Sequence, residues 1–248
     1  MNSLSPLLPV SYQISSWKGQ YPKALQHLSS QGVHSFEVGS TFLQNLSVLK
    51  DHLDKYEMNV SSVFEFGHFQ NMTRKREILW HHNLLARKMS ELQIPCIVLA
   101  PGLRNRNTLL SQMYQFIDEI IKIYSSYNIK TTIHPHFKQC IFYYEEIKQL
   151  LENVNQPLFL LPDTFHLNLA NINVPLLIEE FYKSIYGFHI RSLDYVAVIS
   201  RICEGLDKNC WMIIEEEEKT SPSFNRITQN IQDLKFFYDK RHSLWNYE

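Results

Sequence analysis

The sequence predicts an α/β protein, a (β/α)8 barrel with residues 1–248 as a single domain. Two observations predict it. Short apolar runs alternate with longer segments of helical period from one end of the chain to the other, as in a parallel sheet covered by helices. About eight of these runs are each followed by a helix, which is the repeat number of a (β/α)8 barrel. A doubly wound open sheet is the alternative architecture.

The elements follow in order. "LLPVSYQI" opens as a strand, and a helix over "YPKALQHLSSQG" ends at Gly32, a residue suited to a helix C-terminus. "HSFEVG" precedes the helical "LSVLKDHLDKYE", and "NVSSVFEFG" precedes a long helix through "KREILWHHNLLARKMSELQ". "PCIVLAPG" holds a continuous apolar run, the pattern of a strand buried on both faces. The next helix is the clearest: Leu109, Leu110, Met113, Phe116, Ile117, Ile120, Ile121 and Tyr124 recur at three- and four-residue spacing. "IKTTIH", "PLFLLPD", "YGFHIR" and "CWMIIEE" are the remaining strands. They alternate with helices over "YYEEIKQLLENV" and "PLLIEEFYKSI", one after Asp194, and a closing "FNRITQNIQDLKFFYDKR". No linker, low-complexity stretch or charge block marks a second domain.

Composition narrows the function classes. A hydrophobic fraction of 44% with 20% charged residues is ordinary for a soluble globular chain. The formal net charge of −1 gives no electrostatic case for nucleic acid or an anionic membrane. The 4 cysteines form no C-x-x-C pair, which suggests a reducing compartment without a disulfide framework. The start "MNSLSPLLPV" lacks a basic n-region and a long apolar stretch, and no run approaches a membrane span, so a cytoplasmic protein is expected. There is no G-x-G-x-x-G or G-K-[ST] for a nucleotide phosphate.

In a (β/α)8 barrel the site lies at the C-terminal ends of the strands. Those ends carry Trp17 beyond the first strand, then Glu37, then Glu65 with His68, then "APG". "IHPH" follows with His134 and His136, "PDTFH" with Asp163 and His166, "FHIR" with His189 and Arg191, and "IIEEEE" from Glu215. Singly, each has an ordinary reading. A strand-end histidine is often a hydrogen-bonded structural residue, an acidic run a solvated turn, and Glu37 or Glu65 the partner of a basic neighbour. Jointly, four consecutive strands deliver His, Asp, His and Glu to one rim, a set suited to Zn²⁺, Mn²⁺, Co²⁺ or Fe²⁺.

The blocks "VHSFEVG", "IPCIVLAPG", "IHPH", "PDTFH", "GFHIR" and "WMIIEE" resemble, in order, those of the sugar phosphate isomerase/epimerase superfamily. These xylose isomerase-like barrels include inosose dehydratases and hydroxypyruvate isomerases, and the resemblance covers nearly the whole chain. It implies one divalent metal ion (Mn, Zn, Co or Mg) held by strand-end residues. Asp163, His189 and Glu215 match three of the ligand positions, and His134 stands where many members have a strand-five Glu. His166 matches the second residue of the D-x-x-H element, near substrate. The sequence departs from the pattern twice. His134-Pro135-His136 is more like the inosose dehydratase branch, and "HIRSLD" has Arg191 in place of a Lys, with Asp194 displaced.

The expected reaction is proton abstraction beside a metal-polarised carbonyl of a sugar, sugar phosphate or polyol. Glu215, His134 and His166 are the expected catalytic residues. Glu37, Glu65, His68, His136 and Arg191 are the expected substrate contacts. Return of the proton gives isomerisation or epimerisation, and loss of a β-hydroxyl gives an inosose-type dehydratase. A catalytically inactive barrel serving as a binding or scaffold protein is the third reading. A small-molecule partner is expected, with no nucleic acid and no membrane; homo-oligomerisation is left open.

Overall fold

The computed structural model describes residues 8–104, 109–206, 210–216 and 223–244. Its strands are β1 (Val10–Gln13), β2 (Ser35–Gly39), β3 (Asn59–Phe66), β4 (Cys96–Ala100), β5 (Lys130–Ile133), β6 (Phe159–Leu160), β7 (Gly187–Ile190) and β8 (Trp211–Ile214). They form one 8-stranded sheet in the order β6-β5-β4-β3-β2-β1-β8-β7, with every pairing parallel. Parallel bridges Leu160↔Ile185 and Asp163↔His189 draw β6 to the β7 edge. The Tyr186 amide donates to the Leu160 carbonyl at 2.8 Å and the His189 amide to the Pro162 carbonyl at 2.9 Å. These contacts bring the two ends of the sheet together. The fold is a (β/α)8 barrel, and the strands expected to be parallel are parallel.

The helices are α1 (Tyr21–Ser30), α2 (Leu46–Tyr56), α3 (Lys75–Glu91), α4 (Leu110–Ser125), α5 (Tyr144–Asn153), α6 (Thr164–Leu169), α7 (Val174–Phe181), α8 (Asp194–Gly205) and α9 (Phe224–Leu244). Local chemistry sets their ends. Past α1, Gly32 takes φ +79°, a left-handed conformation that glycine adopts without steric cost. The Asn45 side chain accepts the Val48 amide ahead of α2, and Asn173 accepts that of Leu176 ahead of α7. Along α4 the periodic residues Met113, Phe116, Ile117, Ile120, Ile121 and Tyr124 are buried against the sheet. Each contributes about 1.5–3 kcal/mol relative to exposure.

Strand alternation divides the buried residues into two sets. Outward-facing residues such as Ile97, Leu99, Phe188, Met212 and Ile214 join the helices in the main core. Inward-facing Cys96, Val98, Leu161 and Ile213, with Phe64, Tyr186 and Trp211 against them, pack inside the barrel. Two residues further along the same strand faces, the inward positions become His134, Asp163 and Glu215, and His189 stands beside them. The apolar interior therefore ends in an ionisable layer at the C-terminal rim.

One difference from the sequence expectation bears on the site. β6 is only two residues long, and α6 begins directly after Asp163, within the strand-end segment "PDTFH", where the sequence reading placed no helix. The Asp163 carboxylate Oδ1 accepts the Phe165 amide at 2.7 Å and caps this short helix.

Between α3 and α4, His82 is fully buried and its Nδ1 lies 2.8 Å from the Tyr124 hydroxyl. Burial, with neighbouring His81, pushes its pKa down to about 4. The unfolded chain protonates this ring near pH 6.5 and the folded chain does not, so falling pH favours unfolding through that interval. Relative to a His82→Leu variant, the wild type is expected to lose about 1.4 kcal/mol of stability per pH unit between roughly pH 6.5 and 4. Urea unfolding across that range checks this. A pH-independent gap between the two proteins contradicts it.

Candidate active site

The ionisable layer is built by parity. On β2 the flanking Phe36 and Val38 face the helices, so Glu37 faces inward, at 0% exposure. Its Oε2 accepts the Ser62 hydroxyl at 2.6 Å, and its Oε1 lies 2.9 Å from His189 Nε2. On the other side of the same ring, His189 Nδ1 lies 2.9 Å from Glu215 Oε2. Both are buried ion-pair contacts. Burial alone would lower the His189 pKa, but the Glu37 and Glu215 carboxylates hold it well above its ordinary value. His189 is an imidazolium held between two acids.

Arg191 supplies a second buried cation. Its Nε donates to Asp163 Oδ2 at 2.7 Å and its Nη2 to Glu215 Oε1 at 3.1 Å. The guanidinium lies 5.2 Å from the centroid of the Phe165 ring. Burial pushes the Asp163 pKa up and the Glu215 charge adds to this, with Arg191 and His189 opposing. Burial also acts to raise Glu215, but the positive charges of His189 and Arg191 outweigh it and hold the group below its ordinary value.

The remaining corner consists of imidazoles. The His134 amide donates to the Leu99 carbonyl at 3.0 Å, which extends the β5 ladder by one residue and aims the ring inward. Its centroid is 4.7 Å from that of His189 and 5.5 Å from that of Phe64. Pro135 then turns the chain, and the His136 ring comes to 3.7 Å from that of His166, centroid to centroid. His166 stands on α6, and its Nε2 is 3.7 Å from Asp163 Oδ2, too far for a hydrogen bond. Burial lowers the pKa of His134 well below its ordinary value and that of His166 to about 3, so both rings are neutral at neutral pH.

Two of the expected substrate contacts lie elsewhere. Glu65 follows the inward Phe64 and so faces the helices, where its Oε2 meets His81 Nε2 of α3 at 3.0 Å and its Oε1 accepts the Phe66 amide. His68 is exposed and stacks on Phe66 at 5.8 Å. Trp17 packs on Phe224 at 4.8 Å, and Asp194 accepts the Ser192 hydroxyl at 2.9 Å. Glu37, His134, His136, Asp163, His166, His189, Arg191 and Glu215 are brought together. Sequence reasoning missed Ser62, Phe64 and Phe165, which orient these groups; strand alternation was the signal for Phe64.

Solved structures share this arrangement of strands and helices. A D-psicose 3-epimerase from Clostridium cellulolyticum H10 superposes with a TM-score of 0.75 at 12% identity, over 91% of this chain and 89% of that one. A probable 3-DHS dehydratase involved in petrobactin synthesis, from Bacillus anthracis, gives 0.77 at 14% identity, over 92% and 99%. An AP endonuclease, family 2, from Brucella melitensis gives 0.75 at 13%, over 86% and 95%. The chain has the xylose isomerase-like TIM-barrel fold. No protein-family model matches the sequence, nor does any curated protein.

Donor atoms at the rim of this xylose isomerase-like barrel differ in how open they are to a metal ion. Both Asp163 oxygens accept hydrogen bonds, and Glu215 is shared between Arg191 and His189. His134, His136 and His166 each offer a ring nitrogen, and these lie within 4.8 Å of one another. The imidazole corner fits a metal ion; the carboxylates in this arrangement are already matched to cations of the chain itself.

Removing the guanidinium leaves the buried Asp163 carboxylate without a cation and Glu215 with His189 alone. Arg191→Met is expected to lower the unfolding free energy by about 3 kcal/mol, and adding Asp163→Asn should recover part of that loss. Urea titration of the single and double variants measures it. A single-variant loss under about 0.5 kcal/mol, typical of a surface pair, contradicts the pairing.

Proposed function

We propose that the protein is an enzyme that moves a proton between adjacent carbons of a polyhydroxylated small molecule, as a sugar or polyol isomerase or epimerase. The observation that carries this reading is the ionisable layer at the barrel rim. Glu37, His134, Asp163, His166, His189 and Glu215 are all at 7% exposure or less. Collecting these groups costs stability that an apolar layer would not, and the C-terminal rim is where (β/α)8 barrels carry out chemistry.

Opposed protonation states suit the reaction. Glu215, ionised and steered by Arg191 and His189, accepts the proton beside the substrate carbonyl. His166, neutral and with neither ring nitrogen hydrogen-bonded, is the second proton carrier. His134 is fixed as a tautomer by its Nδ1 donating to the Leu161 carbonyl at 3.0 Å. Arg191 and His136 contact substrate oxygens at the mouth. A divalent metal with His134 among its ligands would polarise a substrate carbonyl or hydroxyl. The balanced charge of the chain argues against the nucleic-acid substrate of an endonuclease.

An inosose-type dehydratase is the second reading, favoured by His134 at the strand-five position and by the imidazolium of His189. Loss of a β-hydroxyl needs an acid to protonate the departing oxygen, and His189 is the charged acid at the rim.

Both reactions exchange a C–H next to a carbonyl. Incubation with a panel of ketoses, inososes and keto-polyols in D₂O, with Zn²⁺, Co²⁺ or Mn²⁺ present, is expected to place deuterium at that carbon by NMR. Glu215→Gln should slow the exchange by about 10²-fold or more, and water loss in the same experiment selects the dehydratase. Binding of panel members without any exchange would instead mark a non-catalytic barrel.

A further inference from the structure

The acid–base scheme uses His134, His136 and His166 one at a time and does not explain why their nitrogens stand together. His166 is 5% exposed, and neither of its ring nitrogens has a hydrogen-bond partner among the described residues. A buried imidazole in that state is desolvated without a compensating hydrogen bond, and a water or substrate hydroxyl would satisfy it only while bound. Its neighbours are prepared differently. His134 Nδ1 lies 3.0 Å from the Leu161 carbonyl and His136 Nδ1 lies 2.8 Å from the Phe137 carbonyl. A carbonyl only accepts, so each Nδ1 carries its hydrogen and Nε2 is the nitrogen left for a metal. A backbone acceptor on the far nitrogen is the usual support of a metal-ligating histidine.

We propose that the divalent cation of this protein is held by His134, His136 and His166, a nitrogen-only set, while Arg191 takes a cation's place between Asp163 and Glu215. This proposal rests on the isomerase reading and deepens it by naming the metal ligands at the same rim; it moves His136 and His166 from substrate contact and proton carrier to ligands, and leaves those roles to Arg191 and Glu215. Nitrogen donors select Zn²⁺, Co²⁺, Ni²⁺ or Cu²⁺ and discriminate against Mg²⁺, which favours oxygen. Nitrogens within 4.8 Å of one another need their separations to shorten by up to about 1.5 Å to reach the 2.0–2.1 Å bonds of a tetrahedral zinc. Three protein ligands leave a coordination position open to a substrate oxygen. The proline between His134 and His136 then has a role: it ends the strand and folds the second ring back beside the first.

The test is metal titration of chelator-treated, tag-free protein, followed by calorimetry and by the visible absorption of Co²⁺. Wild type should bind one Zn²⁺ or one Co²⁺, with an intense cobalt band of low coordination number, and bind Mg²⁺ far more weakly. His136→Ala and His166→Ala should each weaken Zn²⁺ by roughly tenfold or more. Asp163→Asn, which keeps a capping side chain ahead of α6, and Glu215→Gln should stay within about threefold of wild type. Circular dichroism confirms folding of each variant. Wild-type affinity in both histidine variants, or loss of binding in both carboxylate variants, overturns the proposal, as does a wild type that does not bind Zn²⁺. Each of these readouts is independent of turnover, so failure of the ligand set and failure of the isomerase reading are separable.

Discussion

Two cations of the chain itself hold three carboxylates at the mouth of the barrel, and the rest of the rim depends on that pairing. His189 sits between Glu37 and Glu215, and Arg191 between Asp163 and Glu215. Burial of several charges is tolerated only where each finds a partner. The partners come from β2, β7 and β8 and from the turn after β6, so the pairing also ties together strands distant in sequence. Because β6 contributes only two residues to the sheet, the Asp163–Arg191 contact and the Asp163↔His189 bridge reinforce the barrel where its ladder is shortest.

This balance has a chemical consequence. Burial disfavours protonation of His134 and His166, and positive charge on His189 and Arg191 disfavours it further. His134 and His166 are therefore neutral while His189, less than 5 Å from His134 ring to ring, is charged. One rim thus holds a proton donor, a carboxylate held ionised, and imidazoles with unprotonated nitrogens. The fold alone does not choose among uses of such a set, since an epimerase, a probable dehydratase and an endonuclease are named among its structural neighbours. Which atoms are open and which are matched decides the chemistry, and here the open atoms are imidazole nitrogens.

The barrel was legible in the sequence because its signal is local: continuous apolar runs such as "CIVLA" and the three-and-four spacing from Met113 to Tyr124 each report one element. The rim was legible only as a list of strand ends. Glu65 lies at such an end yet faces His81, because a single-residue step from Phe64 inverts the face. Counting parity from Phe64 places it outside the barrel. α6 was hidden by its length; the Asp163–Thr164 pair is a capping signal without the periodic run that usually confirms a helix. Arg191 was legible as a basic residue at the mouth, but its bridge between Asp163 and Glu215 joins residues 24 and 28 positions away through barrel curvature. No sequence pattern encodes that contact. The same holds for Glu37 against His189, which meet only because β2 and β7, with β1 and β8 between them, both turn these side chains into the interior.

Where a cation settles at this rim separates a nitrogen-only centre from a carboxylate-rich one, and a crystal of the zinc-loaded protein, with anomalous scattering at the zinc edge, locates it directly. The arrangement described here predicts one anomalous peak about 2.0–2.1 Å from ring nitrogens of His134, His136 and His166, with Arg191 still bonded to Asp163 and Glu215. A peak bound by Asp163 and Glu215, with the Arg191 guanidinium swung away from both, would contradict it.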